Sequence, residues 1–271
     1  MWEYALWELA VIAAIYLVAG IVKGGIGLGL PTVSIGLMAA WLPVEQAAGI
    51  LILPVVLTNI WQAFFGTALK LVIHRLWTLL IALVIGSFIA AWLIAGVDTA
   101  VAAGLLGAML VIFAVLGLTG AQFSVPVARE KWWGPLIGFI QGLISGATAI
   151  FVVPVVPYLQ SLDYAKGRPG RKDDDTDLTR ATDETMQKDA LIQGLGVTVL
   201  VASIALAIGL NARGGLPVSV VVPGLIGTAT ALIGMVTGRA IRNRMSLEIF
   251  RRWVLIGLVC LGLAMIARSV G

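Results

Sequence analysis

Residues 134–161 read GPLIGFIQGLISGATAIFVVPVVPYLQS, 28 residues without a charge. A helix that crosses a bilayer needs about 20 largely apolar residues. The run is therefore too long for one span and too short for two. Charge flanks it on both sides: Arg129 and Lys131 before, and DYAKGRPGRKDDDTDLTRATDE (Asp163 to Glu184) after. Which side of a membrane each flank occupies decides what the run can be.

The composition says that a membrane is the right frame. Of 271 residues, 60% are hydrophobic and only 12% charged; the mean hydropathy is +1.03. Soluble domains carry about 25% charged residues, so disorder, a cytosolic enzyme and a secreted disulfide scaffold are excluded. The single Cys260 allows no disulfide framework. The 32 glycines and 9 tryptophans suit close helix packing and membrane interfaces. A net charge of +4 then speaks of membrane orientation rather than nucleic acid. Met1-Trp2-Glu3 lacks the positive start of a cleavable leader, so the first segment is expected to stay in the membrane.

Apolar segments fall at 5–22, 26–42, 45–66, 76–95, 99–120, 134–161, 189–210, 216–237 and 252–268. Three links hold nine Lys/Arg: Lys70 and Arg75; Arg129 and Lys131; Arg239, Arg242, Arg244, Arg251 and Arg252. The opposite links, 96–98 and 211–215, hold only Arg213. The excess of positive charge on cytoplasmic loops puts the first set inside. Counting spans from both ends then puts both flanks of 134–161 inside, including the charged 162–188 loop. The run must be a re-entrant hairpin or a helix broken within the membrane. By the same count 1–42 is a hairpin entering and leaving from outside, with both termini outside.

Each half thus has one broken element and three full spans, in opposite orientation. The expected fold is an all-α polytopic helical membrane protein of two inverted-topology repeats, 1–120 and 134–271. A 118-residue offset sets GIVKGGIGLGLP (Gly20 to Pro31) beside GFIQGLISGATA (Gly138 to Ala149), matching Lys23 with Gln141, Gly24 with Gly142 and Gly27 with Ser145. Inverted repeats interrupted by Gly and Pro at matching places point to a central transport site.

Irregular backbone survives at membrane depth only inside protein or along a water-filled cavity. Gly24, Gly25, Gly27 and Gly29 let backbone N–H groups approach a ligand, and a helix starting near Leu30 or Pro31 would aim its positive end at them. Gly142, Ser145, Gly146 and Thr148 are expected to form a second turn, with Ser145 as N-cap. Two opposed helix starts would bind an anion. Lys23 completes the site, since a charge within a span normally faces a cavity or a partner; the plainer alternative is that it snorkels to the outer interface. Asn59, Gln62, Gln141 and Gln193 carry amides that need partners. Thr32 and Ser34 are expected to be satisfied by backbone carbonyls. Glu45 and Asp189 are read as capping carboxylates at helix starts. Gly104, Gly107 and Gly117 and the pair Gly257/Gly262 are read as helix-packing positions, and Asp173-Asp174-Asp175 as a solvated face.

KGGIGLGLP at 23–31 with LPVEQAAGILILPVVLTNIWQA at 42–63, and GFIQGLISGATAIFVVPVVPYL at 138–159 with KDALIQGLG at 188–196, resemble the sulfite exporter TauE/SafE family of membrane transporters. The resemblance implies a secondary transporter of sulfite, sulfonates or similar small anions in the bacterial inner membrane. It also implies that the 24–29 loop and the 142–148 turn line the substrate path. Two departures are visible: the second turn is poor in glycine, and the 163–187 loop is long. The expected partners are a small anion, the bilayer and a coupling proton or sodium ion, with no cofactor, metal or nucleic acid. An anion channel is the alternative. An intramembrane enzyme is remote: Gly142-Leu-Ile-Ser145-Gly146 is one residue longer than GxSG, and the only histidine, His74, falls in a basic loop.

Overall fold

A helix satisfies its own backbone polar groups, which is what an apolar run in lipid requires. The computed structural model describes residues 4–93, 97–120, 129–164, 177–212, 217–242 and 247–270. Within them the helices are α1 (Leu6–Ile26), α2 (Leu30–Ala39), α3 (Val44–Phe64), α4 (Leu69–Leu93), α5 (Thr99–Thr119), α6 (Glu130–Thr148), α7 (Val155–Ser161), α8 (Asp177–Asn211), α9 (Val221–Arg242) and α10 (Leu247–Val270). No strand occurs among the described residues. Among the described residues seven helical stretches are long and apolar enough to cross a membrane. The chain is an all-α polytopic membrane protein. Arg213, Arg244 and the Asp173–Asp175 run lie outside the described residues.

Both breaks fall later than expected. Lys23-Gly24-Gly25 are not a link but part of the end of α1; the chain turns at Gly27 (φ 85°) and Gly29 (φ 102°). The stretch 142–148 is likewise not a turn, because α6 runs to Thr148 and the chain breaks at Ala149 (φ 56°). Ser145 therefore caps no helix start; its carbonyl accepts the Ala149 N–H at the end of α6. The charged 162–188 segment is also partly helical, since α8 begins at Asp177. Asp189 consequently lies well inside α8, not at its start.

The reason for the later breaks is packing. A Cβ on Gly20 or Gly24 would overlap the backbone of Ala231 or Met235, and one on Gly234 or Gly238 the backbone of Leu17 or Ile21. These glycines let α1 and α9 cross backbone to backbone. Gly138 and Gly142 do the same against Leu79 and Leu83 of α4. Glycines that read as chain breakers are here contact points between continuous helices. Of the other glycines, Gly107 and Gly262 face each other's carbonyls, whereas Gly257 faces open space and packs nothing.

Each broken element starts and ends at one end of the bundle. The Tyr4 hydroxyl accepts from Gln46 Nε2 at 2.9 Å, and Trp7 packs on Trp41 with ring centroids 5.9 Å apart. At the other end Arg75 pairs with Glu130, where α6 begins. Its Nη1 also donates to the Asp163 carbonyl beyond α7 at 2.6 Å. The main helix pairings are α1 with α9, α4 with α6, α5 with α10 and α3 with α8. Every one of these joins the first part of the chain to the second.

Candidate functional site

Lys23 is placed by the last turns of α1 and received by α3. Pro54 lies within α3, and one turn on, the Thr58 hydroxyl donates to the Pro54 carbonyl at 2.8 Å. The Asn59 Nδ2 donates to the Val55 carbonyl at 2.8 Å, which leaves Oδ1 as its acceptor. Lys23 Nζ donates to Thr58 Oγ1 at 3.2 Å and Asn59 Oδ1 at 3.3 Å. The lysine is 6% exposed, so it does not snorkel to a membrane surface. Among the described residues the one salt bridge is Arg75 with Glu130; Lys23 rests on neutral oxygens and on the negative end of α1.

A small cleft opens beside it, partly to the exterior. Lys23, Asn59 and Gln62 make its polar wall, and Leu28, Val152, Leu195 and Val199 its aliphatic one. Gly27, Gly29 and Pro31 bring in the start of α2. There the Val33 N–H bonds Gly29 O at 2.9 Å, while the N–H groups of Leu30 and Thr32 precede the helical ladder and Pro31 has none. The Thr32 hydroxyl is fully buried without a hydrogen-bond partner. A buried cation, a helix start and two amides around one cleft suit a small anion.

The family model described as Sulfite exporter TauE/SafE matches residues 12–168. The chain belongs to the TauE/SafE sulfite exporter family. The matched stretch runs from within α1 to beyond α7, and so holds Lys23, both breaks and the α3 partners. Comparisons with curated proteins and with solved structures found no match. TauE/SafE is a transporter family. The Ser145 hydroxyl donates to the Gly142 carbonyl and lies 3.4 Å from Ser87 Oγ, and His74 is exposed on α4.

Of the residues singled out from the sequence, Lys23, Gly27, Gly29, Asn59 and Gln62 line the cleft of this TauE/SafE protein. Gly24 and Gly25 do not: Gly24 faces Met235, and the Gly25 backbone nitrogen lies beside Gly238, both of α9. Gly142 and Gly146 face α4, and Thr148 donates to the Ile144 carbonyl at 2.8 Å. Gln141 straps the second break: its Nε2 donates to Ile150 O at 3.1 Å and its Oε1 accepts the Val155 N–H at 3.3 Å. Gln193 is a comparable staple, donating to Ala63 O at 3.0 Å and accepting the Ala68 N–H at 2.7 Å. Asp189 accepts from Thr67 and Glu45 is exposed in the first turn of α3.

Sequence reasoning missed Thr58, Val152, Leu195 and Val199. Thr58-Asn59 had a signal, a polar pair one turn after an in-helix proline. The valines and Leu195 had none, since nothing distinguishes them from other aliphatic residues of the spans. Arg75 was read as topological; it is instead half-buried, chelating Glu130 and stacked on the Tyr164 ring at 5.2 Å.

Proposed function

We propose that this TauE/SafE protein is a secondary transporter of small sulfur-containing or organic anions of the sulfite and sulfonate class. The observation that carries this is Lys23, a buried ammonium in a cleft, held by two neutral oxygens and facing the start of α2. The anion would take the third Nζ proton and the free N–H groups of α2, with any organic portion against Leu195 and Val199.

The cycle we propose is alternating access between two inverted repeats. The pattern of contacts supports it. Exchanging α1–α5 with α6–α10 turns the α1–α9 packing into α6–α4 and the α3–α9 packing into α8–α4, and leaves α3–α8 and α5–α10 unchanged. We place the protein in a bacterial inner membrane on its family membership, and put both termini outside on the charge of its links.

The test is thermal denaturation of the purified protein across a panel of sulfite, methanesulfonate, sulfate, chloride and acetate. A ligand at 100 times its Kd stabilises by about 2.7 kcal/mol. Sulfite or methanesulfonate is expected to raise Tm in wild type and not in Lys23→Ala. Equal shifts in both proteins, or in neither, would contradict the proposal.

A further inference from the structure

When a bound anion departs, the charge on Lys23 is left in the cleft, and the geometry around Nζ bears on where it goes. An ammonium carries three N–H donors. Two are taken by Thr58 and Asn59; the Thr58 hydroxyl proton is engaged with Pro54 and one Asn59 amide proton with Val55. Among the described residues the third has no protein acceptor, and the cleft lies beside it. A neutral amine has two N–H donors and one lone pair, so it keeps both hydrogen bonds and turns the lone pair to the cleft. The same cradle therefore fits both protonation states.

Among the described residues no carboxylate pairs with Lys23. On α1, Glu8 accepts the Ala5 N–H at the far end; α2 and the 149–154 link carry no ionisable side chain. On α3 Glu45 is exposed, on α8 Asp189 accepts from Thr67, and on α9 Arg239 is exposed. On α10 Arg251 and Arg268 donate to the Gly117 and Ala40 carbonyls, and Glu248 and Arg252 are exposed. A buried ion without a partner is the costly state, and in this cleft the anion is the partner.

Resting on the proposed transport function, we infer that Lys23 also carries the coupling proton, so that one proton crosses with each anion. The anion binds the ammonium. As it leaves, one Nζ–H bond breaks, the electron pair stays on nitrogen, and the proton passes to water filling the cleft. The site returns as the neutral amine and takes a proton from water on the first side. With a monovalent anion both crossings are electrically neutral.

Wild-type protein in liposomes, with methanesulfonate as the probe, tests this. One proton is expected to enter per methanesulfonate, with a steady accumulation ratio that ignores a membrane potential. Movement of one net charge would instead shift that ratio by up to roughly 50-fold per 100 mV. Lys23→Arg, whose guanidinium cannot deprotonate, is expected to lower the ratio of net flux to exchange by at least ~10-fold, whatever the change costs in anion binding. Transport that follows the potential without proton movement, or an undiminished ratio of net flux to exchange in Lys23→Arg, overturns the proton role and leaves the anion site standing. If Lys23→Arg loses exchange altogether, the wild-type proton ratio decides alone, one proton supporting the inference and none overturning it. No transport by wild type, or normal exchange in Lys23→Ala, brings down the site itself.

Discussion

At the scale of single residues, what separates a site from a scaffold here is whether a polar group is already satisfied. Gln193 is buried with both ends of its amide occupied, so its work is to tie the end of α3 and the start of α4 to α8. Gln193→Leu leaves the Ala63 carbonyl and the Ala68 N–H unpaired and is expected to cost about 1–3 kcal/mol, seen as a lower Tm with anion stabilisation retained. Tyr164, outside the spans, offers a pH signature. Burial pushes its phenol up from the ordinary value, and Arg75 beside the ring pulls down without cancelling that. A group whose folded value is raised contributes stability that is complete below its unfolded value, about pH 10, and is lost as pH rises toward the folded one. Wild type should therefore lose Tm above about pH 10 more steeply than Tyr164→Phe, with the two alike at neutral pH; parallel curves would contradict this.

At the scale of elements, the glycines decide. Gly142 faces the backbone of Leu83 and Ser87, where a methyl group has no room, whereas Gly257 has nothing within 4 Å. Gly142→Ala is expected to force α6 from α4 at a cost of about 1–3 kcal/mol, the usual penalty of overpacking. Gly257→Ala should be neutral or slightly stabilising, by up to about 1 kcal/mol, because alanine is the better helix former. Thermal denaturation of the two proteins reads the difference. This is also where the sequence was legible only in part. Hydropathy located the spans, and charge on the links required 134–161 to turn back, because both follow from what lipid excludes. The breaks were misplaced because Gly24 and Gly142 look alike whether they bend a chain or seat a neighbouring helix. Lys23 was legible because a charge in an apolar run needs a reason. Thr58 was hidden because a hydroxyl in a helix has an adequate partner in its own backbone.

At the scale of the whole molecule, the principal packing joins the first five helices to the last five, so neither half buries its apolar faces alone. The cleft reflects the same interleaving: Lys23 and Asn59 come from the first half, Val152 and Leu195 from the second. A change in how the halves pack would change access to Lys23. Counterflow of radiolabelled methanesulfonate in liposomes, wild type against Lys23→Ala, tests the central claim most directly. The account predicts saturable counterflow in wild type and a loss of at least ~10-fold without Lys23, as expected when a charge-assisted hydrogen bond to the ligand is removed. Counterflow at the wild-type rate in Lys23→Ala, or unsaturable flux in wild type, would contradict it.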